Sequence, residues 1–260
     1  MIRAGLVGLG AVLTVLTLVW MVSVKRRDAS IADICWGLGF VLLAWLYCFL
    51  SPASTPRSWL VAVLMTLWGT QLSQHIFRRN RGKGEDPRYQ AMRASLGTAF
   101  WWRSLFTVFW LQGAILWFVA LPLLVAVSAA QPAALTTADG LGIFLFAVGF
   151  GFEVVGDYQL ERFRADPDNR GNVLESGLWR YTRHPNYFGD ATMWWGMYAV
   201  AATTPGGWLT VLSPALMTLL LMRVSGVTLL EDGLKASKPG YRAYIARTPA
   251  FVPWFPRAPR

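Results

Sequence analysis

Gly177-Leu-Trp-Arg-Tyr-Thr-Arg-His-Pro-Asn-Tyr-Phe-Gly-Asp190 is the stretch from which the rest of the chain is read. It places Arg180, Arg183, His184, Asn186, Tyr187 and Asp190 within eleven residues and runs directly into the apolar segment 191–202. Pro185 disfavours helical geometry at His184 and suits the first turn of a helix. The reading is therefore a polar collar over 180–184 and a helix entering a membrane from Asn186 onward. Free N–H groups at such a helix start, with arginines beside them, suit an anion. Basic anchoring at lipid headgroups accounts for Arg180 and Arg183. It does not account for Asn186 and Asp190 on the membrane side, and these make the stretch a candidate site.

Composition points the same way. Of the 260 residues 55% are apolar and 14 are Trp, and the mean hydropathy is +0.40. Only 15% are charged, against ~25% in soluble domains. Apolar runs near the ~20 residues of a membrane span occur at 5–24, 31–50, 58–77, 104–129, 139–156, 188–203 and 207–230. The expected fold is all-α, a polytopic membrane bundle of about seven transmembrane helices. It is expected to form one integral membrane domain over 1–260, with four helices in 1–130 and three helices plus a tail in 139–260. The first run lacks the charge and cleavage pattern of a removable signal peptide.

The net charge of +10 resides in alternate connections. The groups at 25–27, 78–103, 162–183 and 235–260 hold 21 of the 24 Lys and Arg. By the positive-inside rule the N-terminus lies outside and the C-terminus in the cytoplasm. A basic rim at the lipid surface accounts for the charge, so nucleic acid is not an expected partner. Cys35 and Cys48 fall on one expected helix and cannot bridge each other. With only His75 and His184 as histidines, no metal site is expected.

Several polar residues fall inside or just at the ends of the apolar runs. Ser30 with Asp33 three residues on has the form of a capping box; the alternative is a carboxyl at a cavity mouth, beside Trp36, Gly37 and Gly39. Gln71, His75 and Arg78 or Arg79 share one helix face. The stretch 80–89 has the turn chemistry of a linker or flap. Glu153, Asp157, Glu161 and Arg164 form a continuous polar face. Arg223 lies within the last run and Glu231 just beyond it. The proline-rich tail suits an amphipathic lid at the membrane surface. Asp33, His75, Glu153, Asp157, Asp190, Arg223 and Glu231 all fall in the cytoplasmic halves of their helices. A transporter places such groups near the midplane or beyond it. A membrane enzyme fits better, one that takes a charged cofactor from the cytosol and an apolar substrate from the bilayer.

The stretch 177–190, Glu153-x3-Asp157-Tyr-Gln-Leu-x3-Arg164, and the tail with Leu230-Glu-Asp, Tyr241, Tyr244 and 251–256 resemble the bacterial branch of the steroid 5-alpha-reductase C-terminal-domain family. Residues 28–36 and 80–89 also resemble that branch, so the likeness spans most of the chain. It implies a protein of the bacterial inner membrane that reduces an activated C=C bond of a lipophilic, steroid-like or isoprenoid-like substrate with NADPH. It implies cofactor roles for Asp157, Arg164, Asn186, Tyr187 and Asp190. The motif and the polar cavity add Glu153, Tyr181, Arg183, His184, Arg223 and Glu231. The Gln-Glu pair that binds the ketone in the steroid enzymes is missing, and His75 lies near where their Tyr is expected. Asp33 and His75 are therefore the expected catalytic pair, His75 (or Asp33, if burial keeps it protonated) hydrogen-bonding the substrate carbonyl.

Arg183-His184-Pro185-x-Tyr187-x-Gly189 resembles the S-adenosylmethionine-dependent isoprenylcysteine and phospholipid methyltransferases equally well. The acidic helix, Asn186 and Asp190 favour reduction. Expected partners are a lipophilic small molecule and membrane lipids, with no obligate protein partner.

Overall fold

A computed structural model of the chain describes residues 1–224 and 226–257. Among them the regular structure is entirely helical: α1 (Ile2–Arg26), α2 (Ile31–Leu50), α3 (Pro56–Asn80), α4 (Pro87–Val119), α5 (Leu121–Ser128), α6 (Thr137–Ala165), α7 (Pro185–Ala202), α8 (Gly207–Val224), α9 (Val227–Ser237) and α10 (Tyr241–Arg247). Five of these, α1, α2, α4, α6 and α8, are long and apolar enough to cross a membrane. The chain is accordingly a membrane protein. Its many exposed apolar side chains, Phe49, Leu6 and Phe144 among them, are the surface such a protein presents to lipid. Two further helices, α3 with 25 residues and α7 with 18, are long enough to span but carry polar residues: Arg57, Gln71, Gln74 and His75 on α3, Asn186 and Asp190 on α7.

Local chemistry sets the helix ends. At Arg27 the backbone turns left-handed (φ 53°) and its N–H caps the carbonyls of Ser23 and Val24. Thr55 caps α3 by accepting from the Ser58 N–H, with Pro56 in the first turn. Two expected boundaries move. The fourth helix begins at Pro87, not 104, because Asp86 accepts the Arg88 N–H and Pro87 occupies the first turn. It also stops at Val119, and Pro122 opens the short α5 instead. The last apolar run, read as one segment to 230, divides after Val224. Glu231 therefore stands on the separate helix α9.

The chain forms two compact units. The first comprises Met1–Thr136 with Ala201–Thr210, the second Thr137–Val200 with Val211–Arg260. In the first unit α2 packs most extensively on α3, backbone to backbone at one point. A Cβ at Gly37 would lie 2.4 Å from the Gly69 carbonyl oxygen. Phe40, Trp68 and Met65, all fully buried, fill the space around this contact.

In the second unit α6 and α7 run antiparallel and meet at two glycine pairs. Gly149 faces Gly189 with a would-be Cβ at 2.4 Å from backbone oxygen, and Gly142 faces Gly196 at 2.7 Å. Each helix spaces its two glycines seven residues apart, which keeps them on one seam. The close approach brings the polar faces of the two helices within hydrogen-bonding reach. Gly149→Ala is expected to cost about 1–3 kcal/mol by overpacking. Gly151→Ala, on the same helix with open space around it, should cost nothing. Thermal unfolding of the two variants in detergent checks the contrast.

Candidate functional site

The stretch 177–190 folds as a collar wrapped around the end of the apolar part of α6. Gly177 has φ 60°, and a Cβ there would lie 2.4 Å from the Gln159 side chain, so conformation and space both require glycine. Gln159 Oε1 accepts the Leu178 N–H at 3.0 Å, and the Trp179 indole donates to the Gly156 carbonyl at 3.0 Å. Pro185 then opens α7 as the sequence implies, and the Phe188 N–H returns to the His184 carbonyl.

At the centre of the collar lies a buried carboxylate. Glu231 Oε1 accepts from Arg183 Nε at 2.7 Å and stands 3.1 Å from His184 Nε2, and all three side chains are buried. Burial alone would raise the Glu231 carboxyl. The hydrogen bonds from His184 and Arg183, with the guanidinium charge, outweigh it and hold the group down at about 2. The His184 ring lies parallel to Tyr187, centroids 5.5 Å apart.

The rest of the Arg183 guanidinium reaches the tail. Its Nη1 donates to the carbonyls of Ile245, at 3.3 Å, and Thr248. Further bonds tie the two segments: Arg183 N–H to Pro249 O at 2.9 Å and Trp254 N–H to Tyr181 O at 2.9 Å, Thr182 Oγ1 to Phe251 O at 2.8 Å, and Tyr244 Oη to Trp179 O at 2.5 Å. Geometry thus gives Arg183, His184 and Glu231 the work of a clasp between collar, α9 and tail. Residues 248–257 have no regular structure and form a strap bound to the collar through backbone groups.

One helical turn into α7 the polar groups are of another kind. Asn186 Nδ2 donates to Asp157 Oδ1 at 2.8 Å, and Asn186 Oδ1 accepts the Tyr187 N–H at 3.0 Å. Glu153, Asp157 and Asp190 are all buried. Asp190 is 8% exposed, and its Oδ1 has no hydrogen-bond partner. A buried carboxylate oxygen without a donor is costly, and such groups mark the place of a missing partner. Arg164 lies seven residues from Asp157 on the same face of α6 and is exposed, as are Arg180 and Arg223; Tyr181 is exposed against Phe255.

The expected catalytic residues belong to the first unit. Ser30 does not form the capping box: its hydroxyl accepts the Asp86 N–H at 2.6 Å. Asp33 instead accepts from Arg88 Nη2 at 2.7 Å, Tyr89 Oη at 2.6 Å and Gln112 Nε2 at 3.4 Å. Three side-chain donors converge on its two oxygens, and this geometry makes Asp33 an anchor for the start of α4. Glu85 completes the anchor, accepting the Ala29 N–H at 2.8 Å and Arg93 Nη2 and Nε at 2.7 and 2.9 Å. His75 is half-buried on α3, and Gln71 Oε1 on the same face is buried without a hydrogen-bond partner.

Reading 80–89 as a linker or flap missed Arg88 and Tyr89, and reading 104–129 as an apolar run missed Gln112. The available signal was Asp86 followed by Pro87, a helix start. Among the described residues no group of three His, Cys, Asp or Glu is placed to hold a metal ion.

Fold and site together define an all-helical membrane protein with a buried acidic cluster beneath an arginine–glutamate clasp. The chain belongs to the family described as Protein of unknown function (DUF1295), which matches residues 19–248 and is related to steroid 5-alpha-reductase-like proteins. An uncharacterised protein of the fission yeast Schizosaccharomyces pombe is 26% identical, the match covering 90% of this chain and 75% of the yeast protein. No solved structure matches the chain.

Removing one partner of a buried ion pair costs about 3–5 kcal/mol, and Glu231→Ala should lower the unfolding midpoint accordingly. The folded carboxyl titrates below its ordinary value, so the clasp contributes fully above about 4.5 and is lost as pH falls toward about 2. Unfolding midpoints of the parent and of Glu231→Ala should converge over that window, as followed by thermal scans at stepped pH.

Proposed function

We propose that the protein is an NADPH-dependent reductase of an activated C=C bond in a lipophilic substrate. In this reading it spans the membrane seven times, α3 and α7 included, with the N-terminus outside, the Arg-rich ends in the cytoplasm and the bacterial inner membrane as its site. The observation that carries the cofactor assignment is Asp190 Oδ1, buried and without a donor, beside the Asp157–Asn186 pair. Carboxylates so placed suit ribose hydroxyls or a carboxamide N–H₂, which are donors NADPH offers.

The phosphates call for exposed arginines. Arg164 stands seven residues beyond Asp157 on α6, roughly 10 Å along the helix axis. Arg180, exposed on the collar, takes the second phosphate role in place of Arg183, whose guanidinium is engaged in the clasp. Glu153 and Tyr187 complete the proposed cofactor set. When bound, NADPH supplies the reducing equivalent. The chain's own groups orient it, exclude water and hold the substrate carbonyl, the last being the role proposed for His75.

The test is a titration of the purified protein with NADPH and, separately, S-adenosylmethionine, read as the unfolding temperature. NADPH is expected to raise it. Arg164→Ala should weaken that binding by about 1.5–3 kcal/mol, and Asp190→Ala should weaken it without lowering the stability of the ligand-free protein. Stabilisation by S-adenosylmethionine, with none by NADPH, would replace the proposal with a methyltransferase.

A further inference from the structure

The strap at 248–257 has two unlike sides. Its backbone and one ring face the protein: Phe251 packs on Phe188, ring centroids 6.1 Å apart, and the carbonyls of Pro249 and Phe251 and the Trp254 N–H are spent on the collar. Val252, Trp254 and Phe255 face outward and are 62, 70 and 73% exposed. Three large apolar side chains within four residues, on an element with no regular structure of its own, are a contiguous apolar patch that asks for a partner.

Position and charge identify that partner. Trp179 fixes the collar beside Gly156, the residue at which the apolar run of α6 ends and its polar face begins. Tyr181, two residues on, carries the strap through the Trp254 N–H. The patch therefore lies at the depth where a membrane helix leaves the hydrocarbon. Exposed Arg180, Arg242 and Arg257 belong to the collar, α10 and the end of the strap. Arg247 is paired with Glu175 at 2.6 Å. Aromatic rings with arginines beside them, at the edge of the apolar layer, are the pattern of an interfacial anchor on anionic lipid.

We propose that residues 251–257 form an anchor whose Val252, Trp254 and Phe255 enter the headgroup layer of an anionic membrane surface. The anchor and the clasp are parts of one device. The strap that would enter the lipid is the strap whose Thr248 carbonyl takes the Arg183 guanidinium, so lipid binding keeps collar, α9 and tail together. This holds whichever cofactor the acidic cluster takes.

The first measurement needs no variant. Backbone amide exchange of the full chain is followed in nanodiscs of phosphatidylcholine alone and of phosphatidylcholine with phosphatidylglycerol. Exchange over 249–257 is expected to slow about tenfold with the anionic lipid, as local opening becomes costlier, and the difference should shrink at high salt. Equal exchange in the two lipids overturns the anionic surface.

The second uses Phe255→Cys in a chain carrying Cys35→Ala and Cys48→Ala, labelled with bimane, in nanodiscs whose acyl chains are or are not brominated. Insertion of about 5–10 Å should reduce emission about twofold with brominated chains. A label equally bright in both but quenched by iodide is solvated. One shielded from both bromine and iodide is covered by protein, either this chain or a second copy. Each of these results overturns the anchor. Loss of cofactor binding by Arg164→Ala leaves both readouts unchanged, which separates this proposal from the functional one.

Discussion

A carboxylate that folding removes from water must find charge and hydrogen bonds or it destabilises the chain. Glu231 satisfies that requirement with the Nε of Arg183 and stands within hydrogen-bonding distance of His184, and much of the second unit follows from it. The two donors are adjacent residues at the mouth of α7, so α9 is held against the start of that helix. The guanidinium has further N–H groups, which turn to the carbonyls of Ile245 and Thr248. One buried charge thereby fixes collar, helix and strap. Pro185 and Gly177 supply the backbone geometry that lets the collar meet it.

The acidic cluster depends on a different constraint. Asp157 and Asn186 reach each other only because α6 and α7 touch backbone to backbone at Gly149 and Gly189. Larger residues at those points would separate the helices and leave both groups buried and unpaired. Small residues on the seam thus allow polar residues beside it, Asp190 among them. In the first unit Asp33 and Glu85 are instead occupied by donors from the chain and fix the start of α4.

Much of this organisation was legible in the residues. Apolar runs identify membrane helices because a bilayer tolerates little else, and the positions of α1, α2 and α6 follow directly from them. Pro185 placed the start of α7 correctly. The polar face Glu153–Asp157–Arg164 was visible because helix period is a local property. The start of α4 was misplaced because hydropathy does not detect a helix whose first turns are polar, although Asp86-Pro87 announces it. The last run was read as continuous although Ser225-Gly226, a turn dipeptide, stands in the sequence between the end of α8 and the start of α9.

What the sequence determined by itself is the set of local facts: which segments are helical and apolar, where their polar groups stand along each axis, and that 177–190 concentrates chemistry at a helix entrance. Which groups are partners was decided only by the tertiary structure. Arg183 and Arg164 are indistinguishable as residues, yet one is buried on a glutamate 48 residues away and the other is exposed. Asp33 has the spacing of a cap but binds a helix 55 residues further on. Hydrogen bonds and ion pairs act over a few ångströms, and the packing of distant segments sets those distances.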